Sequence, residues 1–124
     1  MKKHDIETAS DIDVLIDDFY IKLLAHAEMK PFFEHIDIAQ HLPHIKQFWR
    51  FSLLNEPGYS TNVFDKHAHL GAQTNHFEIW VHLFCETIDA HFEGERANDA
   101  KTRARTLGFT FASKLEHLRN TPHE

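Results

Sequence analysis

His67 and His41 are the side chains whose type and surroundings could do chemistry. His67 lies in the run Val63-Phe64-Asp65-Lys66-His67-Ala68-His69-Leu70, and His41 opens a stripe that continues through Ile45, Phe48 and Trp49. A neutral imidazole nitrogen binds transition metals, and it is the ordinary protein ligand of haem iron in oxygen-binding proteins. Phe64 precedes His67 by three positions, which on a short helix sets an aromatic ring beside the imidazole. His69, two residues further on, would normally point elsewhere on such a helix, so His67 is the favoured iron ligand and His69 the local alternative.

On the opposite side of such a metal, three side chains from separate segments could converge on one small ligand. Tyr20 offers a phenol O–H, His41 an imidazole N–H and Trp80 an indole N–H. Donors of this kind stabilise the partial negative charge that a bound diatomic molecule acquires. Each residue also has an ordinary packing role open to it, since Tyr20 and Trp80 fall on the apolar stripes of their segments.

These residues need elements to hold them, and composition bounds what those elements are. The chain has 124 residues, enough for one domain whose core a bound prosthetic group could help to fill. Its 13 Lys plus Arg stand against 19 Asp plus Glu, a net charge of -6 with His neutral, which repels the phosphates of nucleic acid. No continuous apolar run follows the opening Met-Lys-Lys-His-Asp, so neither a signal peptide nor membrane insertion is expected, and a cytoplasmic location is the default. Cys85 is the only cysteine and reads as a small buried hydrophobe. Twelve His and 11 Phe are unusual counts for this length, and a large aromatic share suits a broad, flat apolar cavity.

Helical periodicity recurs along the chain and no strand pattern appears. Ser10 is placed to cap a first helix whose apolar band runs Ile12, Leu15, Ile16, Phe19, Tyr20, Leu23 and Leu24, to about Ala27. Pro31 starts a short segment through Phe32, Phe33 and Ile36. Asp37 and Gln40 have capping-box spacing, but Pro43 follows closely, which predicts an irregular start near His41 and a regular helix from His44. Asn55-Glu56-Pro57-Gly58 is a turn, and Val63 to His67 has the length of one or two helical turns. Asn75 with Glu78 opens a helix through Phe92, broken at Gly94. A last helix spans Arg96 to Leu118, with Gly108 allowing a close helix contact and a frayed tail beyond. The expectation is an all-α, helical-sandwich fold over residues 1–124.

In order along the chain, Phe19-Tyr20, the run from His41 to Phe48-Trp49, Asp65-Lys66-His67, and His76-Phe77-Glu78-Ile79-Trp80-Val81-His82-Leu83-Phe84 resemble the group III truncated haemoglobins, from about Ile12 to Leu118. The resemblance implies a two-over-two helical sandwich around haem b, with His67 as proximal ligand and Tyr20 and Trp80 as the main distal donors. His41 matches the family's distal histidine position, and His44 and Lys66 could reach haem propionates. Phe64, Ile45 and Phe48 would line the macrocycle. Two departures stand out: Gly-Gly pairs usual in other truncated groups are missing, and Ala68 follows His67 where the group commonly has leucine. The implied function is binding of dioxygen, nitric oxide or other diatomic ligands, coupled to nitric oxide dioxygenation or peroxide chemistry with an external reductant, in a monomer. The alternatives are a ligand sensor or redox partner without turnover, and a non-haem helical metal protein, for which the pairs His82/Glu86 and His91/Glu95 have helical spacing.

Overall fold

In a computed structural model of the chain, the described residues are 3–34, 36–56 and 74–120, excluding the side chains of 74, 75, 111 and 114–120. His67, Lys66 and Phe64 lie outside them, as does the short helix expected over 63–67.

The first helix, α1, is Ala9–Ala25, capped by Thr8 and not by Ser10. Thr8 wins because its partner three residues on closes the box. The Asp11 carboxylate accepts from the backbone N–H of Thr8 at 3.0 Å and of Glu7 at 2.9 Å, while the Thr8 hydroxyl accepts from the Asp11 N–H at 3.3 Å. The predicted band from Ile12 through Leu23 is buried, at helical spacing. A 3-10 turn, Lys30–Phe33, follows with Pro31 in its first positions and buries Phe33.

The second helix, α2, is Ile38–Leu54 and regular from its start, which corrects the irregular opening expected near His41. Asp37 caps it by accepting from the Gln40 N–H at 3.3 Å, and His41 N–H already bonds to the Asp37 carbonyl at 2.9 Å. Pro43 withholds a single N–H, and both it and Ala39, whose carbonyl would have received that bond, are exposed to water. Asn55 ends the helix at φ 59°, a left-handed conformation that asparagine tolerates.

The remaining helices are α3, Thr74–His91, and α4, Glu95–Asn120, two residues longer than the expected end at Leu118. Between them Gly94 sits at φ 139°, and any Cβ there would lie 2.6 Å from the Asp5 side chain. Asp5 occupies that space for a reason: its carboxylate accepts from the backbone N–H groups of Arg96 at 2.9 Å and Ala97 at 2.8 Å, capping α4 from the far end of the chain.

α1 packs on both α2 and α3, while α3 lies along α4, so two helix pairs face each other. Gly108 brings α4 close to α3, since a Cβ there would meet a Val81 methyl at 2.5 Å. Lys46 of α2 pairs with Asp17 of α1 at 2.9 Å, and His91 of α3 with Asp18 of α1 at 2.8 Å. The core centres on Phe19, Trp49, Phe84 and Ile88. Its buried Thr87 hydroxyl donates to the Leu83 carbonyl at 2.7 Å. No described helix is long and apolar enough to cross a membrane.

Candidate functional site

Tyr20 sits on the inward face of α1, where residues at this spacing meet the core, and only 4% of it is exposed. A buried phenol needs a partner, and α2 supplies one. The Tyr20 hydroxyl lies 2.8 Å from His41 Nε2, a hydrogen bond between helices 21 residues apart in sequence. Asp37 as cap fixes the start of α2 and so the turn on which His41 is carried.

This polar pair is set among aromatic rings. Tyr20 meets Phe33 and Phe19 edge-on, with centroids 5.8 and 5.6 Å apart. Phe19 in turn abuts Trp80 at 5.7 Å and Phe84 at 5.0 Å, and Trp80 stacks on Phe84 with only 5° between the planes. Trp49 closes the layer against Phe84 at 4.7 Å. The structure therefore joins Tyr20 and His41 directly and places Trp80 one ring away, behind Phe19. The Trp80 side chain is half-buried and its indole N–H bonds to no described residue.

Burial pushes the Tyr20 phenol far above its ordinary range. It therefore stays protonated at neutral and moderately alkaline pH and remains a possible donor. Which of the two residues donates in the Tyr20–His41 bond depends on the imidazole tautomer. With the proton on Nε2, His41 donates to the phenol oxygen and the phenol O–H is left to point at a third group.

Ile45 and Phe48 lie half-buried on α2 against the core, as do Leu42 on the same helix and Ile79 and Leu83 on α3. His44 is exposed, one turn beyond His41, and both line an open cavity of about 430 Å3 with Ile36, Asp37 and Gln40. His76, at the start of α3, abuts Phe32 edge-on at 4.6 Å. Sequence reasoning gave neither Phe33 nor His76 a part in the site. The Phe32-Phe33 pair after Pro31 was the available signal, but nothing in it shows which ring turns to Tyr20.

The pairs considered for a non-haem metal site have other roles. His82 and Glu86 are 3.4 Å apart on the exposed face of α3, and His91 bonds Asp18 of α1. Among the described residues no group of three or more His, Cys, Asp or Glu side chains is placed to hold a metal ion. Cys85 is half-buried, and burial pushes its thiol up, against the opposing influence of Arg105 and Lys101.

The described helices thus form an all-α sandwich of two pairs, with a buried Tyr–His pair between the first two helices. The solved structure of a group III truncated hemoglobin from Campylobacter jejuni superposes with a TM-score of 0.82 at 28% identity, over 93% of this chain and 95% of that one. The sequence is likewise similar to the group 3 truncated hemoglobin ctb of Campylobacter jejuni, 27% identical over 120 residues, 91% of this chain and 94% of that protein. No protein-family model matches the chain. The resemblance read from the ordered motifs thus holds in both sequence and fold.

Proposed function

We propose that this chain binds haem b through His67 and takes dioxygen, nitric oxide or another diatomic ligand on the side lined by Tyr20, His41 and Trp80. The observation that carries the reading is the buried Tyr20–His41 hydrogen bond, a polar pair at the edge of an aromatic layer in a truncated-globin fold. The described residues fit such a group. Ile45, Phe48 and Leu42 on α2 and Ile79 and Trp80 on α3 keep part of their apolar surface uncovered, as a flat macrocycle requires of its walls. His44, exposed beside His41, is placed to meet a charged edge group.

A haem held here would supply the iron chemistry for binding a diatomic ligand. The chain's own contribution is to hold hydrogen-bond donors on the ligand side. Tyr20 keeps its proton because burial disfavours phenolate, and His41 fixes the phenol oxygen by a bond that leaves the O–H free in one tautomer. Trp80, its N–H bonded to no described residue, is the second donor. Phe19 packs edge-on against both the Tyr20 and Trp80 rings. We extend the reading to nitric oxide dioxygenation or peroxide reduction sustained by an external electron donor, to which Tyr20, His41 and Trp80 would contribute hydrogen-bond donors.

Titrating haem into the purified protein tests the binding. A porphyrin absorption band that saturates at one haem per chain and shifts on adding carbon monoxide is the expected result. A folded protein that leaves added haem spectrally free contradicts it.

A further inference from the structure

The groove between α3 and α4 lies apart from the site just described. It has a volume of about 500 Å3, with Val81, Gly108 and Ala112 in its apolar floor. Phe109 forms part of its wall and keeps 75% of its surface exposed, the most exposed large hydrophobic among the described residues. Glu78 on α3 and Arg105 on α4 flank the same groove; both are exposed, and neither forms an ion pair among the described residues.

One patch therefore carries a ring-sized knob next to a recess large enough for a ring, and an unpaired acid across from an unpaired base. A surface with both halves of each pair is complementary to itself. A two-fold axis makes contacts reciprocal, so that when residue i of one copy meets residue j of the other, j also meets i. Such an axis through the groove would set Phe109 of each copy against the other's groove and each Glu78 towards the opposing Arg105. The overall charge of -6 opposes any contact between copies that lacks this matched pairing. We propose that the α3–α4 groove is the interface of a two-fold homodimer of this chain, in place of the monomer expected from sequence.

Sedimentation velocity over micromolar to millimolar protein tests the interface. Wild-type mass is expected to rise from 14.6 kDa towards twice that value with concentration. Phe109→Ser should stay at the single-chain mass with an unchanged circular dichroism spectrum, since the ring it removes is exposed. Glu78→Arg and Arg105→Glu should each weaken association by about tenfold or more. The double variant should regain it, because exchanging the charges preserves their match about a two-fold axis. Cys85, the only thiol in the chain and a lining residue of the groove, gives a second readout. Its labelling should slow as wild-type concentration rises and should not do so in Phe109→Ser. Wild type at 14.6 kDa throughout, a dimer that Phe109→Ser leaves intact, or a single chain with a co-purifying amphiphile in the groove each overturns the proposal. Haem titration of the same variants is read separately, so that a failed dimer and a failed haem site are told apart.

Discussion

Tyr20 has two demands placed on one oxygen: burial at 4% exposure requires a partner, and the ligand-binding role proposed for it requires a proton to give. The 2.8 Å contact with His41 meets both only in the tautomer in which Nε2–H donates to the phenol oxygen, which leaves the phenol proton to give elsewhere. Tyr20→Phe keeps the ring against Phe19 and Phe33 and removes only the hydroxyl. A hydrogen bond to a charged partner is worth roughly 1.5–3 kcal/mol, so dioxygen release is expected to quicken by about 10- to 100-fold. Stopped-flow dissociation measures this, and an unchanged rate removes Tyr20 from the ligand contacts. The pairing of Tyr20 with His41 was legible in sequence as donors that could converge. The interposition of Phe19 before Trp80 was not, since ring order across helices depends on rotamers that no sequence spacing encodes.

At the scale of elements, the helix starts show how local chemistry sets register. Thr8 with Asp11 and Asp37 with Gln40 each close a turn within the sequence window that helix-capping rules cover. The first was missed in favour of Ser10, which also stands just before the apolar band; Asp11 decides by also accepting from Glu7. The cap of α4 was illegible for a different reason, as its acceptor, Asp5, is over 90 residues away along the chain. Burial of the Asp5 carboxyl works to raise its pKa, but the backbone N–H groups of Arg96, Ile6 and Ala97 and the charge of Arg96 outweigh it and hold it below the usual carboxylate value. A lowered folded-state pKa contributes stability that is present above the unfolded carboxylate pKa, about 3.9, and is lost as pH falls through the folded value. Asp5→Ala should cost about 1–2 kcal/mol in urea denaturation at neutral pH. Asp5→Asn should lose less and, below a pH of about 4, should show a shallower acid loss than wild type. Equal acid sensitivity in Asp5→Asn and wild type would assign the loss to other carboxylates.

For the molecule as a whole, the apolar periodicity was enough to read four helices, because each buries a continuous stripe; their pairing two over two came from the ordered motifs and holds in the fold. Leu42, Ile45, Phe48 and Ile79 are half-covered, and on the proposed reading the surface they leave open is what a bound macrocycle would cover. That group ties the two helix pairs into one function only when iron takes its nitrogen from residue 67. The most direct measurement is resonance Raman spectroscopy of the ferrous protein, comparing wild type with His67→Ala. The account predicts an iron–imidazole stretching band in wild type that disappears in His67→Ala, because a methyl group has no nitrogen to give the metal, and that Tyr20→Phe retains. The same band in His67→Ala, or its absence from haem-loaded wild type, would contradict it.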